Sequence, residues 1–309
     1  MNEIVKLEML MKNKKSVIVT GASGFIGYHL VNALLEQDIF VYAIIRPNSK
    51  NKERLYQFSN IKIIELAMQD IVYLVDLIQN HCDCFYHIAW EGERNNFQMQ
   101  NKNITYTLDA LETAIKIGCR RFICSGSQAE YGLQDQLITE EVLPKPNTAY
   151  GSAKLSACYL SRFRAMQAGI EWIWTRIFSA YGKYDNPNAL IPYLIRYLKK
   201  GETPNLTKGL QNWDYVYAAD VANALIAVSE QGTNGEIYNI ASGDVHPLRY
   251  FIEQVRDIVA PQQEIIYGEQ VNRVVSLKPA IQKMQRDTNW QPQFKFFDGI
   301  SDIMKDRNF

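Results

Sequence analysis

Short, mostly β-branched apolar runs alternate along the first two thirds of the chain with stretches whose apolar positions recur every three or four residues. The runs at 16–20, 40–45, 61–66, 84–89, 121–125 and 171–178 predict strands. The first of them, 16–20, is apolar and compact, as a strand buried on both faces of a parallel sheet is. Residues 25–35, 103–117 and 150–166 carry the helical spacing. Strand–helix alternation implies right-handed βαβ units and an α/β fold with a doubly wound parallel sheet. Ligands of such sheets bind at the carboxyl ends of the strands.

After Phe178 the pattern changes. Residues 181–192 are rich in Gly, Asn, Pro and Tyr and predict a loop, followed by an amphipathic helix over 190–200 and more loop over 201–211. A helix over 220–229 and a strand over 236–240 are expected to return to the sheet, with mixed helices from Pro247 onward. The expected division is a dinucleotide-binding unit of 12–178 with 212–242 returning to it, and a smaller substrate-binding lobe of 179–211 and 243–309. A chain of 309 residues is long enough for both.

The glycines give the sheet a purpose. Strand 16–20 runs into Thr20-Gly21-Ala22-Ser23-Gly24-Phe25-Ile26-Gly27, and a helix follows at once. The chain must turn tightly, admit a diphosphate to the backbone and seat a helix close on the sheet, and each task favours a residue without Cβ. The helix N-terminus then offers free N–H groups to the phosphates. Gly21, Ser23, Gly24, Phe25, Ile26 and Gly27 are therefore expected to hold a dinucleotide in a Rossmann-type unit. Sites for NAD usually carry an acid at the end of the second strand for the ribose 2′-hydroxyl. Here no acid lies between Asp38 and Glu53, and Arg46 occupies the region with Lys50 and Lys52 nearby. A guanidinium binds a 2′-phosphate that a carboxylate would repel, so NADP(H) is favoured, with NAD possible.

Tyr150 and Lys154 share one face of a helix that opens after Pro144 and Pro146. A phenol is a weak acid at neutral pH, and an ammonium one turn away would lower its pKa and reach the nicotinamide ribose. The fifth strand ends in Cys124-Ser125-Gly126-Ser127, which places hydroxyls at the cofactor edge. The trio suits hydride transfer at a carbonyl carbon, with Tyr150 moving the proton.

These motifs resemble the extended short-chain dehydrogenase/reductases, in particular the nucleotide-sugar branch of the epimerase/dehydratase family. Further likenesses are His87-Ile88-Ala89, Asn103, Arg176 to Gly182, Asp214-Tyr215-Val216-Tyr217 with Asp220, and Asn289-Trp290-Gln291-Pro292. The resemblance implies a catalytic Ser127, Tyr150 and Lys154, a nucleotide-sugar substrate, and a homodimer built on helices 103–117 and 150–166. It also places Gln128 and Ser179 at the sugar, with Trp90 facing it after the fourth strand and Glu91 and Arg94 beside it. Family dehydratases carry Thr-Asp-Glu where this chain has Ser127-Gln128-Ala129, which removes the acid and base that elimination needs. Ser179 stands where the family has Asn, and Trp213 where it has Arg, so Arg273 or Lys278 is left to meet the diphosphate. The expected activity is NADPH-dependent reduction of a nucleotide-linked 4-keto-6-deoxyhexose, with an NAD-dependent sugar-nucleotide 4-epimerase as the alternative.

Charge and cysteine content narrow the rest. Basic and acidic residues number 33 each, so there is no general field for nucleic acid or anionic lipid. No apolar run approaches a membrane span, and residues 1–16 hold no apolar segment of signal-peptide length. Five cysteines, mostly in apolar runs, read as reduced thiols of a cytoplasmic protein, and Cys82 and Cys84 without a second pair make no metal site.

Overall fold

A computed structural model describes residues 15–78, 80–269 and 277–305. Seven parallel strands form the central sheet: β1 (Ser16–Thr20), β2 (Phe40–Ile45), β3 (Ile61–Glu65), β4 (Cys84–His87), β5 (Arg121–Ser127), β6 (Glu171–Ile177) and β10 (Ile237–Ile240). Their order is β3-β2-β1-β4-β5-β6-β10. The winding reverses between β1 and β4, which opens a crevice at their carboxyl ends.

Alternation along β1 sets the layers. Val17 and Val19 face α1 (Phe25–Glu36) and a later helix, α6 (Ala218–Gln231). Ile18 faces the opposite layer of α3 (Phe97–Ile117) and α4 (Ala149–Ala168), where Leu111, Ala114, Ala157 and Cys158 are buried. A single helical turn, α2 (Leu74–Leu77), precedes β4. All five cysteines are buried, free thiols.

A smaller group of elements stands at the carboxyl edge. β7 (Ser179–Tyr181) pairs in parallel with β9 (Tyr215–Tyr217), and β8 (Asn212–Trp213) pairs antiparallel with β11 (His246–Pro247). α5 (Leu190–Lys199), α7 (Leu248–Val259) and α9 (Phe296–Lys305) close on a separate apolar cluster containing Leu194, Phe251 and Ile300. α8 (Gln282–Thr288) lies against the sheet side. The buried Asp220 carboxylate at the head of α6 accepts the backbone N–H groups of Gln293 and Phe294 (2.9 and 3.0 Å), tying the two groups together. No helix among the described residues is long and apolar enough to cross a membrane.

Three differences from the sequence expectation have local causes. β4 stops at His87 instead of 89 because the Thr20 hydroxyl accepts the N–H groups of Ile88 and Ala89 (3.1 and 3.2 Å) in place of a neighbouring strand. β5 runs two residues past 125 because its ladder with β6 continues to Ser127↔Ile177. α3 begins at Phe97 instead of 103. Its first turns are too polar to show an apolar stripe, but Asn96 caps them by accepting the N–H of Met99 (3.1 Å).

Candidate active site

The turn off β1 is built for close approach. Gly21 has φ +69°, and a Cβ there would come within 2.9 Å of the Ala89 backbone. A Cβ on Gly27 would lie 2.1 Å from the carbonyl of Gly21, so α1 can sit on the turn only without it. Gly24 stands at the N-cap of α1 and offers no side-chain cap. The N–H groups of Phe25, Ile26 and Gly27 thus have no intrahelical acceptor and are available to an anion. Gly21, Ser23 and Gly24 line a cavity of about 240 Å³ with Arg46, Ser49, Asn51 and Ala89. The buried hydroxyls of Ser23 and Ser49 bond each other at 3.1 Å. Leu66 and Met68 supply apolar wall. Bare backbone, a helix terminus and a flat apolar wall fit the adenosine diphosphate half of a dinucleotide. Arg46 is exposed there, with no side-chain partner among the described residues, whereas Lys52 is drawn to Glu65 at 3.4 Å. Phe25 and Gly27 line neither this cavity nor the neighbouring one, which Ile26 faces.

That second cavity, of about 640 Å³, adjoins the first and receives Ser127, Tyr150 and Lys154. Thr148 caps α4 by accepting the N–H of Gly151 (3.0 Å), which fixes Tyr150 in the first turn and Lys154 one turn on. Ser127 is pinned at the end of β5: its N–H donates to Glu130 Oε1 (2.8 Å) and its hydroxyl accepts the N–H of Ala129 (3.2 Å). Glu130 is fully buried, accepts Trp174 Nε1–H through the same oxygen (2.9 Å) and pairs with the equally buried Arg176 through the other (2.8 Å). An anchored, neutral-on-balance pair therefore underlies the serine.

The electrostatics depart from the expectation that Lys154 lowers the phenol. Burial raises the pKa of Tyr150 above its usual value, and the opposing influences are a hydrogen bond with Ser127 and the charge of Arg94. Lys154 points elsewhere. It is 2% exposed, donates to the carbonyl of Ser125 (2.5 Å) and lies 3.7 Å from the centre of the Trp90 ring. Burial brings its pKa down to about 8. Arg94 stacks 5.0 Å from the centre of the Tyr150 ring, and its carbonyl accepts the Tyr150 N–H (2.9 Å). Its position after β4 was the only signal for it, and its contact with the phenol is not visible in the sequence. Asn103 holds the intervening loop through Glu91, accepting its N–H (3.0 Å) and donating to its carbonyl (2.8 Å).

The remaining wall of the larger cavity includes Trp90, Gln128, Ser179 and Trp213. Lys278 does not line it, and Arg273, like residues 1–14, lies outside the described residues. Ala189, Leu190 and Ile191 bring the N-terminus of α5 to the cavity, with no side-chain cap and no acid in its first turn. Asp185 also faces in, its carboxyl pushed up to about 6 by burial. It sits in a stretch whose composition signals only a loop. The arrangement can bind an anion at α5, hold a carbonyl oxygen between a serine and a phenol, and keep a cation beside the seam of the two cavities.

Comparison with known proteins fits this geometry. Residues 17–241 match the model of the NAD dependent epimerase/dehydratase family. The chain is 26% identical to CDP-abequose synthase of Salmonella typhimurium, over 94% of this chain and 98% of that one. It is 28% identical to dTDP-glucose 4,6-dehydratase of Escherichia coli, over 92% and 91%. Among solved structures it resembles UDP-glucuronic acid 4-epimerase from Bacillus cereus in complex with NAD, with TM-score 0.82, 26% identity and coverage of 94% and 98%. The UDP-glucose 4-epimerase of Thermotoga maritima shares the fold, with TM-score 0.85, 24% identity and coverage of 94% and 97%. The chain belongs to the NAD dependent epimerase/dehydratase family, and is an enzyme of the extended short-chain dehydrogenase/reductase type.

Proposed function

We propose that this enzyme uses NADPH to reduce the C4 ketone of a nucleoside-diphosphate 4-keto-6-deoxyhexose. The observation that carries the reading is the end of β2. There Arg46, Ser49 and Asn51 face the adenosine cavity, and a cation with small hydrogen-bonding groups stands where a 2′-hydroxyl site would have a carboxylate. The likeness to CDP-abequose synthase supports a sugar nucleotide as substrate. So do the free N–H groups of α5, which suit a diphosphate.

NADPH supplies the hydride to C4 when bound. Tyr150 donates its proton to the C4 oxygen as the ketone becomes an alcohol, and the Ser127 hydroxyl holds that oxygen. A phenol whose proton is retained by burial is suited to the donor's role. Lys154 would bond the nicotinamide ribose, while Ser127 and Arg94 ease the phenolate that remains. Gln128 and Ala129 stand where related dehydratases have an acid pair, so the pair that would eliminate water is missing from those positions. Trp90, Gln128 and Ser179 shape the sugar site, and Arg273 serves the diphosphate.

Purified protein is mixed with NADPH or NADH and a 4-keto-6-deoxyhexose nucleotide, and loss of nicotinamide absorbance is followed. Consumption of NADPH in preference to NADH is expected; no consumption by protein shown to bind NADPH overturns the reading. A 4-epimerase is the second reading, favoured by the likeness to the NAD-bound UDP-glucuronic acid 4-epimerase. It predicts one NAD, without 2′-phosphate, released from each freshly purified chain on denaturation.

We further propose a homodimer through α3 and α4. Tyr159, Leu160, Phe163 and Met166 recur along α4 at helical spacing and are exposed, Met166 to 70%. A second copy of the same surface would cover that stripe.

A further inference from the structure

Trp90 is the one described residue that lines both halves of the cleft. Its ring is fixed on three sides. Nε1–H donates to Oε1 of Gln100 (2.8 Å), itself 1% exposed and held by donation to the carbonyl of Glu93 (2.9 Å). The Tyr150 ring meets it edge-on, 6.0 Å between centres and 89° between planes. The face is turned to Lys154 Nζ, 3.7 Å from the ring centre.

A buried ammonium needs compensation, and Lys154 has little. Its hydrogen-bond acceptor is the Ser125 carbonyl alone among the described residues. On β5 beside it, the Cys124 thiol is pushed up to about 12 and is neutral. On β4, His87 is driven down to about 3 and is neutral too. The Glu130 carboxylate attracts the ammonium but is committed to Arg176, Trp174 and Ser127. On its own helix, Tyr150 is an un-ionised phenol, and Arg94 beyond it is a cation. The electron-rich indole face is the remaining stabilising group.

We propose that Trp90 is a positioning residue acting through Lys154: its face keeps the ammonium charged and aimed at the seam between the two cavities, where a dinucleotide must cross. The inference rests on the proposed function only in taking Lys154 as a cofactor contact, and its test uses no sugar.

Wild type, Trp90→Phe, Trp90→Leu and Lys154→Met are titrated with NADH and with NADPH from about pH 6 to about pH 10, following nicotinamide fluorescence. NADH separates any effect of the 2′-phosphate's own ionisation. Wild-type affinity is expected to fall as pH rises through about 8, where the ammonium discharges. Lys154→Met should lose that inflection. Trp90→Leu should move it down by roughly 0.5–1 pH unit, the size of a partly buried cation–π interaction, and Trp90→Phe, with a weaker ring, by less. An unmoved inflection in Trp90→Leu, equal shifts in the Phe and Leu variants, or persistence in Lys154→Met overturns the proposal. If the Leu variant does not fold, the Phe variant decides: a downward shift supports the proposal and no shift overturns it. A protein that binds NADH with this profile yet reduces no 4-keto sugar would fail the reductase reading and leave this one standing.

Discussion

Tyr150 feels two opposed influences: burial holds its proton on, while Ser127 and Arg94 ease it off. A group that must give up a proton and then recover it works best between those limits. Tyr150→Phe removes the proton and leaves the ring that Trp90 and Arg94 pack against. Turnover should fall by roughly 100- to 10,000-fold with cofactor affinity changed less than about twofold, measured by steady-state kinetics and fluorescence titration. Equal losses in both would show that the residue binds and does not transfer the proton. Arg94 shows why this residue was only half legible. Its number in the chain places it after β4, but its contact with the phenol depends on a loop fixed by Asn103 and Gln100 from another helix.

The strands of the sheet were readable for a physical reason. A parallel strand covered on both faces has no polar side to interrupt it, so β1 and β2 stand out as apolar runs. The glycine turn was readable because its steric demands fall on one residue type. The short pairs β7–β9 and β8–β11 were not, since two or three residues carry no period. Nor was the support under β5. Nothing in the order of residues joins Glu130 to Arg176, 46 positions on, yet their pair is wholly buried and carries Ser127 on it. Glu130→Gln would leave Arg176 charged and without its counter-ion, because the same carboxylate is what raises the guanidinium's pKa against the cost of burial. A loss of about 3–5 kcal/mol in unfolding free energy is expected from denaturant titration. A change below about 1 kcal/mol would mean the pair is dispensable.

At the scale of the whole molecule, the exposed stripe on α4 lies on the outer surface of the same helix that bears Tyr150 and Lys154. Association there would brace that helix from behind. Phe163→Glu should shift the sedimentation coefficient from dimer to monomer at micromolar protein, while a variant that still sediments as the wild type would locate the contact elsewhere or dispense with it. The thiols offer a different kind of leverage. Burial raises Cys82 to about 11 and Cys124 to about 12, and pushes Cys84, Cys119 and Cys158 up as well. An un-ionised, inaccessible sulfur is a poor nucleophile. The native chain should therefore consume almost no Ellman's reagent and five equivalents once unfolded in denaturant. That silence leaves the surface chemically blank, so a single cysteine introduced on an outer loop would take a maleimide dye alone, and cleft movements could be watched by energy transfer without first stripping the protein of its own sulfur.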